Sequence, residues 1–167
     1  LHVWNHSLFK SLLFYGAGSI IHAVHTRQMD QMGGLAKKLP KTFVLFLLGS
    51  VAICGLPPLN GFVSEFMVYL GLFRTMNTTG GNTWVAAITV VPVLAMTGAL
   101  ACAAFVKTVG TVFLGLPRSD ASEHAHDAPA AMNAAMVILA FFCFSIAFYP
   151  VVIGPILDQA VQTWMPA

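Results

Sequence analysis

Residues 42–73 read TFVLFLLGSVAICGLPPLNGFVSEFMVYLGLF, in which GLPPLNG at 55–61 separates two apolar runs. Each run, 42–56 and 59–73, has about 15 residues, fewer than the about 20 that a transmembrane helix needs. Proline removes a backbone N–H and interrupts the helical ladder. We therefore predict one discontinuous transmembrane helix over 42–73, broken at Pro57, Pro58, Asn60 and Gly61. Two short helices in a tight hairpin remain the alternative.

The composition of the whole chain agrees with a membrane location. Of 167 residues, 57% are hydrophobic and 8% are charged, with Lys+Arg 8, Asp+Glu 6 and a net charge of +2. A soluble domain carries about 25% charged residues. These values exclude a soluble globular enzyme, a disordered tail and a nucleic-acid-binding protein, which would need a basic stripe. We expect this chain to be surrounded by the lipid bilayer and to bind no nucleic acid.

Three more apolar segments accompany the broken one, at about 2–23, 84–115 and 132–153. Irregular backbone cannot face lipid, and no segment shows sustained strand alternation, so each should be a helix. The predicted fold class is therefore all-α, a polytopic transmembrane helix bundle. Because the sequence starts at Leu1 within an apolar run, we interpret 1–167 as a fragment of a longer protein or as part of a larger membrane assembly.

Basic residues outside the apolar segments are unevenly distributed. Loop 24–41 carries four of them: Arg27, Lys37, Lys38 and Lys41. If 42–73 crosses the membrane once, Arg118 lies on the side of this loop and Arg74 on the opposite side. If it crosses twice, Arg74 and Arg118 exchange sides. In both cases five basic residues lie on one side and one on the other. The positive-inside rule therefore predicts that loop 24–41 is cytoplasmic, but it leaves the number of crossings open.

Ionisable residues inside apolar segments are costly and by default mark an ion pathway or a proton relay. His2, His6 and Lys10 follow the spacing i, i+4, i+8, which places them on one helical face in a column about 12 Å long. Lys10 lies about 18 Å from the His22 end of its helix, near the middle of the hydrocarbon core. Since histidine titrates near neutrality, this column is predicted to be a proton path.

Two further charged residues lie within the apolar segments. Glu65 follows the break, and breaks of this kind mark ion and substrate sites in transporters. We expect Glu65 to exchange protons in partnership with a lysine; the alternative is an ion pair that only fastens two helices. Lys107 lies in a segment longer than one crossing needs, so it either joins the path or extends to the cytoplasmic end.

Nothing in the sequence points to a cofactor, a bound metal or a catalytic centre in this chain. Cys54, Cys102 and Cys143 all lie in apolar runs without a CxxC pair, as buried packing cysteines do. His124 and His126 belong to a polar loop that is more typical of solvated surface than of a metal site. We therefore expect this chain to bind no cofactor and no metal ion and to contain no catalytic centre.

Two stretches carry a family resemblance. LHVWNHSLFKSLLFYGAGSIIHAVHTRQMDQMGGL at 1–35, which contains the His-His-Lys column, and LPPLNGFVSEFMVYLG at 56–71 resemble the antiporter-like membrane subunits of the complex I superfamily. AFVKTVGTVFLGLPRS at 104–119, the following EHAHD and the glutamate of GFVSEF are most similar to the hydrogenase-4 and formate hydrogenlyase branch. The resemblance covers nearly the whole chain.

The resemblance implies that 1–167 form the C-terminal part of an inverted-repeat, antiporter-like proton-translocating domain. The helix with His2, His6 and Lys10 would then be the one that carries the central-to-exit lysine and histidines. Residues 42–73 would be the discontinuous helix of the second repeat, with Glu65 as its ionisable residue. The implied partners are other membrane subunits and a hydrophilic redox arm with iron–sulfur and hydrogenase subunits. The implied location is the inner (cytoplasmic) membrane.

Three functions stay open on the sequence. The favoured one is proton translocation as a subunit of a redox-driven complex, of the hydrogenase-4/formate hydrogenlyase or NADH:quinone oxidoreductase type. The second is a subunit of a cation/proton (Na⁺/H⁺) antiporter without a redox partner. The third is a structural membrane scaffold that conducts nothing.

Overall fold

The computed structural model describes residues 1–78 and 83–164, and this part of the chain contains helices and no strand. The prediction of an all-α bundle is confirmed. In chain order the elements are α1 (His2–Val24), a 3₁₀ turn (Met29–Gln31), α2 (Leu35–Lys38), α3 (Pro40–Ile53), α4 (Asn60–Thr78), α5 (Thr83–Phe113), α6 (Asp120–Glu123), α7 (Ala130–Phe148) and α8 (Pro150–Trp164).

Three of the described helices are long and apolar enough to cross a membrane: His2–Val24, Trp84–Phe113 and Ala130–Phe148. α3 is apolar but has only 14 residues, about 21 Å of helix, which is too short for the hydrocarbon core. Whether α4 continues α3 in the same direction or turns back beside it therefore decides the topology of the bundle.

α4 completes α3 on the same side of α1. Going backwards along α1, its partners go steadily forwards along α3 and then α4. The contacts in this order are Gly16 with Phe46, Leu13 with Gly49, Phe9 with the buried cluster of Ala52 and Leu59, Asn5 with Asn60, and His2 with Ser64. A hairpin would reverse this order at the break. The two short helices thus run in one direction along α1 and form one discontinuous helix.

α1 lies at the centre of the bundle, between the broken helix and α7. Leu12 packs with Met136 and Ala140 of α7 in one buried cluster. On the other side of the broken helix, Phe113 of α5 contacts Phe43 and Phe46 of α3, with ring centroids 5.1 and 5.4 Å apart. Large apolar side chains cover the outside of α5 and α7, as expected for surfaces that face lipid or further helices.

The predicted end of the last segment at 153 is wrong. α7 ends at Phe148, and α8 begins separately at Pro150. A residue that precedes proline is driven out of the helical region by the proline ring. Tyr149 accordingly has φ −127° and ψ 54°. Pro150 therefore divides into two helices the apolar stretch that the hydropathy pattern predicts as one segment.

The loops 24–41 and 114–129 meet at one end of the bundle. The Gly34 N–H donates to the Leu114 carbonyl over 3.0 Å, and Ser122 Oγ donates to the Gln31 carbonyl over 3.2 Å. Arg118 Nη1 lies 3.5 Å from the Met29 carbonyl oxygen. Arg118 therefore shares an end with the four basic residues of 24–41, as one broken crossing requires.

Candidate functional site: the broken helix and the polar column of α1

α3 ends in a well-formed C-cap that starts the break. Gly55 has φ 63°, its N–H donates to the Ala52 carbonyl, and the Leu56 N–H donates to the Val51 carbonyl. This pair of bonds is the Schellman motif, which favours glycine at the left-handed position. The sequence placed the break at the prolines, but the turn itself is made by Gly55, three residues before Pro58.

α4 begins close against the end of α3. A Cβ at Gly61 would overlap the carbonyl group of Ala52, so only glycine allows this approach. Gly61 was predicted to belong to the break, and its packing supplies the physical reason. The last carbonyls of α3 and the first N–H groups of α4 have no partners within their own helices. The break therefore brings polar backbone groups together within an apolar bundle.

The carboxylate of Glu65 reaches back to the break. It rests on Gly55, where an added Cβ would overlap Oε2 and lie 2.9 Å from Cδ. Helical side chains lean towards the N-terminus of their helix, which is why Glu65, in the second turn of α4, points to the start of that helix. Cys54 and Cys102 line one apolar pocket between the end of α3 and α5.

The column on α1 contacts the broken helix at its first member. His2 Nδ1 and Ser64 Oγ of α4 lie 3.1 Å apart. The rings of His2 and His6 follow each other along α1 with centroids 6.1 Å apart, and His6 meets Phe9 edge to face at 5.3 Å. The two tilted rings thus follow each other along α1, and the first of them reaches the Ser64 hydroxyl of α4.

Lys10 and Glu65 lie on different sides of the bundle. Lys10 is exposed and lines an open groove of about 600 Å³ together with His6, Ser7, Ser11, Phe14, Tyr15, Gly18 and Met132. Apart from Met132 of α7 these residues belong to α1, whereas the Glu65 carboxylate lies against Gly55, just after the end of α3. Within 1–78 and 83–164, no ion pair joins Glu65 to a lysine, so its partnership with a lysine stays a prediction.

Lys107 is exposed on α5 and lies about 7.5 Å along the helix from Cys102, towards the end that holds loop 24–41. The described structure does not bring it to the break. In the same described ranges, no group of three or more His, Cys, Asp or Glu side chains is arranged to hold a metal ion.

Asn5, which no motif in the sequence indicated, joins the column to the break. Asn5 Nδ2 donates to the Asn60 carbonyl over 2.9 Å, and both residues are 0% exposed. Asn5 is a neutral amide three residues after His2, so a criterion based on ionisable residues at membrane depth does not select it. Its polarity within an apolar helix was the available signal.

A discontinuous helix packed against a column of ionisable residues defines an antiporter-like membrane subunit. The chain belongs to the family described as NADH:quinone oxidoreductase/Mrp antiporter, TM, whose model matches residues 1–94. The resemblance to the complex I superfamily is thereby confirmed, and the chain is a membrane-spanning one.

Among its curated relatives, the chain is 44% identical to hydrogenase-4 component B and 40% identical to formate hydrogenlyase subunit 3, both of Escherichia coli (strain K12). These matches cover 87% and 85% of the chain but only 22% and 23% of the relatives. The chain thus spans less than a quarter of their length. The solved Mrp complex from Dietzia sp. DQ12-45-1b superposes with a TM-score of 0.70 at 17% identity, over 89% of this chain and 34% of that one, which shows the fold.

Proposed function

We propose that this chain is part of a subunit that translocates protons across a membrane within a redox-driven complex, of the hydrogenase-4/formate hydrogenlyase or NADH:quinone oxidoreductase type. The observation that carries the proposal is the contact between the α1 column and the broken helix, His2 to Ser64, beside a break that also receives the carboxylate of Glu65. The relatives named hydrogenase-4 component B and formate hydrogenlyase subunit 3 support the type of complex.

Each residue of the site has a distinct task in this proposal. The imidazoles of His2 and His6 pass protons along α1, because each ring can accept on one nitrogen and donate from the other. Lys10 holds or releases a proton in the open groove, and Lys107 extends the path along α5. Glu65 is the exchanging carboxylate of the break, where polar backbone groups offset part of the cost of its burial.

The setting of the subunit follows from the same proposal. Residues 1–167 form the C-terminal part of an antiporter-like membrane domain whose exposed apolar faces meet further helices and lipid. The partners are other membrane subunits and a hydrophilic arm with iron–sulfur and hydrogenase subunits. The membrane is the inner (cytoplasmic) one, and loop 24–41 is on its cytoplasmic side, supported by the basic residues gathered at that end of the bundle.

The proposal is tested with vesicles that contain the complete complex. Redox-driven proton flux is measured for wild type, Lys10→Met, Glu65→Gln and the double variant. Loss of a positioned proton-transfer group costs on the order of 10²-fold, so we expect the flux to fall at least about tenfold. Electron transfer measured with the membrane made leaky to protons reports whether the redox arm is intact.

Lys37→Met is the matched control, because Lys37 is an exposed lysine of α2 at the loop end of the bundle. Its flux should equal that of wild type. If the double variant Lys10→Met/Glu65→Gln pumps as fast as wild type, the proposed path does not exist.

A cation/proton antiporter subunit is the second candidate, favoured by the superposition on an Mrp complex. In that case vesicles with an imposed pH gradient and no electron donor would exchange Na⁺ or K⁺ for H⁺, and Glu65→Gln would abolish the exchange. Redox-driven flux without any such exchange would support the first candidate instead.

A further inference from the structure

A groove of about 400 Å³ lies between the first turns of α3 and α7. Its lining residues are Pro40, Lys41, Val44 and Leu45 of α3 and Asn133 and Val137 of α7. Both helices start at the loop end of the bundle, because the carboxylate of Asp127, three residues before α7, accepts hydrogen bonds from the Lys41 and Thr42 N–H groups of α3. This α3–α7 groove therefore has a polar end, with Lys41 and Asn133, and continues along apolar side chains.

The polar end of the α3–α7 groove lies where the hydrocarbon core meets the lipid head groups. α7 has 19 residues, about 28 Å of helix, so its first turn lies at one edge of a core about 30 Å thick. Asn133 belongs to that turn, and Val137 lies one turn deeper. Val44 and Val137 are 59% and 54% exposed. A lipid in this groove would thus place its head group at Asn133 and Lys41 and an acyl chain along the two valines.

The α3–α7 groove and the polar column of α1 lie on different sides of the bundle. The groove beside Lys10 is lined by α1 and by Met132 of α7, whereas the described lining of the α3–α7 groove includes no residue of α1. A helix that covers the column therefore lies on another side of the bundle from this groove. In a membrane-spanning chain, an apolar face that is left open in this way borders on lipid.

The polar end of the groove carries an acceptor without a donor. Asn133 is 8% exposed, and its Nδ2 donates to the Ala128 carbonyl over 2.9 Å, but its Oδ1 has no partner in the described part of the chain. Buried polar groups are nearly always hydrogen-bonded. Because Asn133 lines an open groove, a ligand from outside the chain can supply the missing donor.

Charges of both signs lie at the same end. The Asp127 carboxylate accepts three hydrogen bonds from Lys41 and Thr42, and a carboxylate has about four acceptor sites, so one site remains. The Lys41 side chain is exposed and forms no ion pair within 1–78 and 83–164. The polar end thus offers an ammonium group, a carboxylate and an amide oxygen above an apolar groove.

This combination favours a zwitterionic head group that can donate hydrogen bonds. An anionic head group would be attracted by Lys41 but would bring no cation to Asp127. Phosphatidylcholine carries both charges, but its quaternary ammonium has no N–H donor for Asn133 Oδ1. The primary ammonium of phosphatidylethanolamine supplies both the charge and the donor, and its phosphate accepts from lysine.

We propose that the α3–α7 groove binds one phosphatidylethanolamine molecule from the leaflet on the side of loop 24–41. Its ammonium donates to Asn133 Oδ1 and faces Asp127, its phosphate meets Lys41, and one acyl chain lies along Val44 and Val137. Lipid recognition at this place is independent of proton translocation, because it is read from the lipid that stays bound and not from the flux.

The experiment uses the complete complex in nanodiscs with equal parts of phosphatidylethanolamine and phosphatidylcholine that carry the same acyl chains. After mild extraction, the lipid that stays bound is measured by mass spectrometry. Val137→Trp fills the groove, so the difference between wild type and this variant is the lipid held there. Since a hydrogen bond to a charged group is stronger than a neutral one, we expect this difference to contain about tenfold more phosphatidylethanolamine than phosphatidylcholine.

Ile138→Trp is the matched control, because Ile138 is the next residue of α7, is 56% exposed and does not line the groove. It should retain lipid as wild type does. Asn133→Leu should abolish the preference for phosphatidylethanolamine, and Asn133→Asp, which keeps an acceptor oxygen, should preserve it. Lys41→Gln should reduce the retention of both lipids.

Four results would overturn the proposal. Val137→Trp retains as much phosphatidylethanolamine as wild type, or the groove retains both lipids equally. Phosphatidylglycerol, when it replaces phosphatidylcholine in the nanodiscs, is retained in preference to phosphatidylethanolamine. A map of the complete complex shows a protein helix in the α3–α7 groove. A complex that holds the lipid but pumps no protons would refute the proposed function and leave the lipid site standing.

Discussion

Gly55 combines two requirements in one residue. Its φ of 63° lies in the left-handed region, and the face on which another residue would carry a Cβ is occupied by the Glu65 carboxylate. Gly115 has a similar φ of 79°, but open space surrounds the position of its Cβ. A substitution at either glycine introduces backbone strain, but only one at Gly55 also displaces Glu65, so comparing the two positions distinguishes these effects.

We predict that Gly55→Ala and Gly115→Ala lower the stability by similar amounts, about 1–2 kcal/mol each, since both force alanine into the left-handed region. Only Gly55→Ala should also displace Glu65 and reduce redox-driven proton flux in vesicles with the complete complex. Thermal unfolding in detergent gives the first quantity. A Gly55→Ala complex that pumps normally, or a Gly115→Ala complex that does not, would contradict the assignment.

α3 depends on a residue that lies far away in the sequence. The carboxylate of Asp127 accepts hydrogen bonds from the Lys41 N–H, the Thr42 N–H and Thr42 Oγ1, at 3.2, 3.3 and 3.1 Å. It supplies the first turn of α3 with acceptors and places a negative charge at the positive end of the helix dipole. The loop 114–129 is thus the N-terminal cap of the broken helix.

Asp127→Ala should therefore lower the free energy of unfolding by about 1–2 kcal/mol, the usual cost of a lost helix cap. Asp127→Asn keeps one acceptor and should lose less. The measurement is the unfolding temperature of the purified complete complex. Asp120→Ala is the control, because no hydrogen bond to its carboxylate occurs among the described residues; an equal loss there would argue against capping.

The bundle as a whole has two distinct ends. Loops 24–41 and 114–129 are hydrogen-bonded to each other at one end, whereas α7 runs antiparallel to α1 and ends at Phe148 beside the other. Leu116 and Tyr149 are 81% and 69% exposed at these two ends. They are suitable positions for measuring which side of the membrane each end faces.

We predict that Leu116→Cys reacts with a membrane-impermeant thiol reagent from the cytoplasmic side and Tyr149→Cys from the opposite side. The background is the complete complex with Cys54, Cys102 and Cys143 replaced by serine or alanine. Labelling is compared in right-side-out and everted vesicles. Reaction of both positions from the same side would contradict a single crossing by α7, and a reversed pattern would place loop 24–41 outside the cytoplasm.

The site was only partly predictable from residue types and spacing. His2 and His6 were predicted to share a face because helical spacing is local geometry, and their rings do follow each other in the structure. Gly61 was predicted from its place beside the prolines. The role of Asn5 depends on a contact with Asn60, 55 residues along the chain, and the carboxylate on Gly55 comes from the following helix; no local pattern reveals either contact.

The sequence by itself determined that this chain is a helical membrane bundle with one interrupted segment, because charge scarcity and proline position act locally. Only the tertiary structure decided that α3 and α4 form a single crossing, since the ordered contacts with α1 fix their common direction. It also separated Lys10, which lines an open groove beside α7, from Glu65, whose carboxylate lies against Gly55. Hydropathy reports how deep a residue lies, whereas packing decides what it faces.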